Sequence, residues 1–122
     1  MENKKENELT LIPKSEKYIE YMLNVIMKIP RTEKFSIGTE YKQSMYKLIE
    51  NVIYLTKIEK EERLIIINKI DAELNIQRIL LRIMYKSAWI DKKKFDVAMD
   101  HIFEIGKIVG GLIKYYGKNN KK

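Results

Sequence analysis

The sequence predicts an all-α fold, an up-down-up-down bundle of four helices. Three observations predict it. Only 5 glycines and 2 prolines interrupt 122 residues, too few for the turn every ten or so residues that a β-sandwich or barrel needs. Apolar residues recur at +3 and +4 spacing in four separate runs, the stripe of an amphipathic helix. The links between runs are short, which sets consecutive helices antiparallel. With 45% hydrophobic residues, the chain can bury one core, and it is too short for two ordinary domains.

The elements follow in order. Residues 1–12 lack an apolar period and read as a disordered N-terminal tail. The bundle domain is expected over residues 13–117, opening at Pro13, whose missing N–H costs nothing in a first helical turn. Tyr18, Met22, Val25 and Ile29 form the first stripe, and Pro30 ends it. After a connection over residues 31–36, the second stripe runs through Tyr41, Met45, Leu48, Val52 and Leu55 and fades at Thr56. Residues 57–62 form a charged link whose last acids suit the start of the next helix.

The third stripe is Ile67, Ile70, Leu74, Gln77, Leu81 and Met84. Asp91 reads as an N-cap for the last helix. There Phe95, Ala98, Ile102, Ile105, Val109, Leu112 and Tyr116 keep strict +3 and +4 spacing. Residues 118–122 form a basic C-terminal tail.

The third helix carries a second stripe, Ala72, Ile76, Ile79 and Ile83, on another face. The fourth adds Phe103, Ile108 and Tyr115 outside its core stripe. A lone bundle needs one apolar face per helix, so the extra stripe predicts self-association, with Ala72, Ile76, Ile79 and Ile83 as the oligomer interface.

The chain holds 24 Lys and Arg against 17 Asp and Glu, a formal +7. Residues 86–122 alone hold nine lysines against four acids. This fits a footprint for nucleic acid or an acidic partner, and equally the solvated lysines of an AT-rich genome. Arg78 and Arg82, one turn apart, can grip neighbouring phosphates or carboxylates; an ion pair with Glu73, Asp71 or another helix's glutamate is the competing reading. Lys92, Lys93, Lys94, Lys107 and Lys114 complete the candidate nucleic-acid or partner surface. No helix-turn-helix, finger or aromatic RNA-reading signature accompanies them.

Catalytic constellations are missing from the sequence. With no cysteine there is no disulfide, thiolate metal site or cysteine nucleophile. The single histidine, His101, lacks the paired Glu-x-x-His of bundle di-metal sites. The expectation is a non-enzyme without cofactor or metal. Gly110 and Gly111 follow no strand and so make no phosphate-cradling loop. Glycine in a helix costs roughly 1 kcal/mol, which suggests close packing of a helix or partner at Gly106, Gly110 and Gly111. Residues 1–8 are polar, unlike a signal peptide, and no apolar run approaches the ~20 residues of a membrane span. A soluble cytoplasmic protein is expected.

Three segments carry a resemblance. They are Ile29-Pro30-Arg31-Thr32-Glu33-Lys34-Phe35-Ser36-Ile37-Gly38, then Glu73-Leu74 with Arg78-Ile79-Leu80-Leu81-Arg82, then Glu104-Ile105-Gly106-Lys107-Ile108-Val109-Gly110-Gly111. In this order the chain resembles the Avd-like proteins, the accessory variability determinants of diversity-generating retroelements. One departure is Leu112, where the family commonly has an aromatic after the glycine pair. Proteins encoded in intervening sequences of large-subunit ribosomal RNA genes are similar in fold, but their usual Asn-Ile-Ala-Glu-Gly stretch is absent. The resemblance implies a homopentameric ring of bundles with a basic surface. It also implies association with the retroelement's reverse transcriptase and template RNA, supporting mutagenic retrohoming without catalysis. A helical protein–protein adaptor with no nucleic-acid role is the alternative.

Overall fold

Each apolar stripe folds as a helix with the stripe turned inward. The computed structural model describes residues 4–119. Helix α1 spans Lys4–Met27, the single turn α2 Arg31–Lys34, α3 Ile37–Leu55, α4 Arg63–Lys86 and α5 Lys92–Asn119; a 3₁₀ turn, Lys60–Glu62, precedes α4. No strand occurs among the described residues. The four long helices close a ring in which α3 packs on α4, α4 on α5, α5 on α1, and α1 on α3. The core is built from the expected stripes: every member of the second and third is buried, and only Phe95 of the fourth stays half-exposed. Phe95 stacks instead on Tyr85, with ring centroids 4.5 Å apart.

The beginning of the chain corrects the expected tail. Residues 4–12 are helical, so α1 starts well upstream of Pro13; residues 1–3 and 120–122 lie outside the described residues. Glu8 and Leu11 are buried because they continue the register of Ser15, Tyr18, Met22, Val25 and Ile29 backwards along the helix. Glu8 holds a core position through its partners. Its carboxylate accepts from Arg63 Nη1 at 3.3 Å and from the Tyr116 hydroxyl, and Arg63 also donates to Tyr116 Oη at 2.9 Å. Pro13 therefore lies inside the helix rather than in its first turn. It sits on the exposed side, with Leu9 also exposed, where water can reach the carbonyl that Pro13 leaves unpaired.

The ends of the helices show their local causes. Asp91 caps α5, its Oδ1 accepting the Lys94 N–H at 2.8 Å. At the α4 end, Trp89 N–H bonds to the Met84 carbonyl and Ala88 N–H to the Tyr85 carbonyl, a Schellman turn with Ala88 at φ 63° in the place glycine favours. Glu62 precedes α4 without a side-chain cap, so the acids of that link act on the helix dipole alone. Gly38 lets α3 start close to α1: a Cβ there would stand 3.1 Å from Ile26 Cγ2 and 3.2 Å from the Glu33 carbonyl oxygen.

A buried chain of hydrogen bonds crosses the core and ties three helices in register. The Tyr18 hydroxyl donates to Gln77 Oε1 at 2.6 Å, so the Tyr41 hydroxyl, 2.5 Å away, donates to Tyr18. Gln77 Nε2 donates to Ser44 Oγ at 2.9 Å, and Ser44 Oγ to Glu73 Oε1 at 2.7 Å. Each polar group buried in this chain is thus paired, the condition for tolerating it in a core. Burial above all pushes the Tyr18 and Tyr41 hydroxyls well above the ordinary tyrosine range.

Candidate nucleic-acid and partner interface

Two surfaces of α4 carry the residues singled out in the sequence. The first is the face pointing away from the core. Ile76 is 45% exposed, Ile79 51% and Ile83 43%, and Ile65 extends the line at 62%. Ala72 is exposed between them. Their spacing keeps them on one side of the helix, opposite Ile67, Ile70, Leu74, Leu81 and Met84. Helix α4 is thus apolar on two opposite faces, of which the protomer covers one. On α5, Phe103 and Tyr115 are exposed, whereas Ile108 is half-buried and packs against the core, which corrects its placement outside the core stripe.

The second surface is the flank of α4 that faces α5. Arg78 is half-buried there and Arg82, one turn on, is exposed. Among the described residues, neither has a carboxylate within 4.0 Å. The carboxylates considered as partners are engaged elsewhere: Glu73 accepts from Ser44, and Asp71 accepts from Asn75 Nδ2 at 3.4 Å. Arg78 Nη1 donates to Asn75 Oδ1 at 2.5 Å. Asp71, Asn75 and Arg78 thus form a hydrogen-bonded line along α4 that ends in a guanidinium with no carboxylate within 4.0 Å among the described residues.

The lysines do not form one cluster with these arginines. Lys92 pairs with Asp96 at 2.7 Å and Lys94 with Asp91 at 3.3 Å; Lys93 is exposed. Lys107 lies fifteen residues beyond Lys92 along α5, roughly 22 Å at 1.5 Å per residue. Its Nζ sits 5.2 Å from the centroid of the Phe103 ring, a cation–π contact. Lys114 is exposed two turns beyond. The basic groups are therefore spread along α5, with Lys94 beside Val25 and Lys28 of α1, while Arg78 lies on the α4–α5 flank.

The glycines separate into two kinds. A Cβ on Gly106 would meet Arg78 Nη2 at 2.8 Å, while Gly110 and Gly111 would meet no heavy atom within 4 Å. Within the protomer no neighbouring helix reaches Gly110 or Gly111, which corrects the helix-packing half of the expectation there and leaves the approach of a partner as its other half. At Gly106 the close neighbour is a side chain, not a helix backbone.

His101 rests against aromatic rings, 5.9 Å from Tyr18 and 5.5 Å from Tyr21 between centroids. Burial lowers its pKa, and neighbouring Asp100 partly offsets the effect. No group of three or more His, Cys, Asp or Glu side chains among the described residues could hold a metal ion. An open recess of about 410 Å³ lies at the end of the bundle, lined by Val25, Lys28, Ala88, Trp89, Ile90, Asp91 and Lys94. No described helix is long and apolar enough to cross a membrane.

Sequence reasoning missed the Glu8, Arg63 and Tyr116 cluster and the role of Gly38. Glu8 stands three residues before Leu11 and seven before Ser15, a register that could have been followed upstream. What the geometry presents is a helical bundle whose exposed isoleucines and, among the described residues, unpaired arginines lie on its outer faces. The chain belongs to the bAvd-like family, whose model matches residues 9–116, and is an Avd-type accessory protein. None of the curated proteins shows a significant match to it.

Proposed function

We propose that this protein is the non-catalytic accessory subunit of a diversity-generating retroelement, working in the cytoplasm. It assembles as a homo-oligomer, a pentameric ring in keeping with the resemblance, and binds the retroelement's reverse transcriptase together with template RNA or cDNA to support mutagenic retrohoming. Family membership supports the accessory role. The observation that carries the binding role is the exposed isoleucine face of α4 beside an α4–α5 flank whose arginines lack counterions. The apolar face suits a protein contact, and the flank suits phosphate. Co-expression with the reverse transcriptase encoded beside its gene, followed by purification at increasing salt, tests the reading. A complex that retains template RNA is expected; a protein that captures neither enzyme nor RNA overturns it.

One observation favours a second reading, a protein–protein adaptor. Lys92 and Lys94 are already paired with Asp96 and Asp91, and Lys107 with Phe103, which leaves fewer cations free for phosphates. Capture of the enzyme without RNA at low salt selects the adaptor.

A further inference from the structure

We infer that Gly106 is the positioning residue for Arg78, and that the pair forms a seat for one phosphate of a nucleic-acid strand in the α4–α5 groove. The inference rests on the nucleic-acid reading above and deepens it.

Gly106 lies inside a 28-residue helix and does not adopt positive φ. It therefore has no backbone reason to be glycine, yet costs the helix about 1 kcal/mol relative to alanine. What occupies the missing Cβ's place is the Arg78 guanidinium, 2.8 Å from where the atom would stand. No neighbouring backbone comes within 4 Å of that position. The glycine is thus a notch for one side chain.

The guanidinium in the notch is incompletely satisfied. One of its five N–H donors bonds to Asn75 Oδ1, and no carboxylate lies within 4.0 Å among the described residues. Its charge reaches the core, where it partly offsets the upward shift of the Tyr18 hydroxyl. Four of the guanidinium's five N–H donors are left for water or an anion, and a bidentate guanidinium–phosphate contact is among the stronger hydrogen bonds. Asn75 and the notch together hold the guanidinium fork in advance, which reduces the ordering cost of a bidentate contact.

The surroundings favour a phosphodiester strand over an acidic protein segment. Arg82 follows one turn along the same flank, ~6 Å up the axis, which offers a second phosphate contact. Gly110 follows Gly106 by one turn on α5 with open space above it, so a strand can lie close to the helix surface. The chain's formal charge of +7 attracts a polyanion as a whole.

The test uses the full-length protein and an unstructured 20-nucleotide RNA, with affinity measured by fluorescence anisotropy across a salt series and melting followed by circular dichroism. Gly106→Ala is expected to raise Tm, since alanine is the better helix former, and yet to weaken RNA binding about tenfold, the size of one charge-assisted hydrogen bond. The slope of log K against log salt should fall by about 0.7 for each seat the strand engages. Arg78→Gln should weaken binding equally, and the double variant should be no worse than either single one. Gly117→Ala, a helix glycine of α5 outside the groove with open space at its Cβ position, should leave binding unchanged. If Gly106→Ala binds like wild type while Arg78→Gln weakens, Gly106 does not position Arg78 and the inference fails. If Arg78→Gln has no effect on a wild-type protein that binds RNA, the seat does not exist, although the nucleic-acid reading stands. Wild-type protein that binds no RNA at low salt overturns both. Dependence on Gly106 seen only with a poly-glutamate peptide would assign the groove to an acidic protein and overturn the phosphate seat.

Discussion

The Tyr116 hydroxyl donates a hydrogen bond to the Glu8 carboxylate across 108 residues of sequence, tying the end of α5 to the beginning of α1. Arg63, at the first position of α4, bonds to both. Three helices are thus pinned at one end of the bundle by a cluster whose carboxylate is almost wholly buried. Glu8→Ala should therefore remove the buried carboxylate to which both Arg63 and Tyr116 donate and cost about 2–3 kcal/mol. Urea denaturation measures it. A loss no larger than the 0–1 kcal/mol of an exposed ion pair would show that the cluster does not hold the helix end.

The same cluster shapes the response to alkali. Burial first, and then the bond to Glu8, pushes Tyr116 up to about 12 from its ordinary value of 10.0. The fold thus binds the phenolic proton more tightly than the unfolded chain does. This contribution to stability is complete below pH 10 and is lost as pH rises from 10 towards 12. Tyr18 and Tyr41 shift in the same direction and add to the loss. Urea midpoints should fall over this window, and less steeply in Tyr116→Phe. An identical decline in that variant would rule Tyr116 out as a contributor.

Ser15 is buried in α1 with its Oγ unpaired. Ser15→Ala removes an unsatisfied hydroxyl and installs a better helix former, so stability should rise by about 1 kcal/mol or more. A lower Tm would mean that the hydroxyl has a bonding role in the folded protein.

Ala88 occupies the left-handed region at φ 63°. Glycine adopts that conformation without the steric cost of a Cβ, so Ala88→Gly should raise stability by about 1 kcal/mol despite the greater freedom of the unfolded chain. Differential scanning calorimetry checks the sign. A decrease would show that the Ala88 methyl, which lines the recess beside Trp89, contributes more by packing than it costs in strain.

Ile76 and Ile79 are exposed on the outer face of α4. Ile76→Asp with Ile79→Asp should dissociate the assembly and leave a folded, helical protomer. Light scattering and circular dichroism read the two outcomes separately. Wild-type protein that scatters as a 14.6 kDa monomer at micromolar concentration would remove the oligomer from the proposal.

The sequence by itself determined the helices and the faces they bury. The stripe of Tyr41, Met45, Leu48, Val52 and Leu55 is wholly buried, as is that of Ile67 to Met84 with Gln77 among its members, and Asp91 caps α5. Such features are local. A period of 3.6 residues and a side-chain oxygen near the first free N–H groups act within a few residues. The tertiary structure decided what depends on distant partners. Glu8 reads as a solvated tail residue until Arg63 and Tyr116 arrive from 55 and 108 residues away. Arg78 reads as one half of an ion pair until Glu73 is seen bonded to Ser44, and Gly106 reads as a packing glycine until α4 sets that arginine against it. A charge or a missing Cβ takes its meaning from whatever fills the adjacent space, and periodicity along one helix carries no information about which residue of another helix that will be.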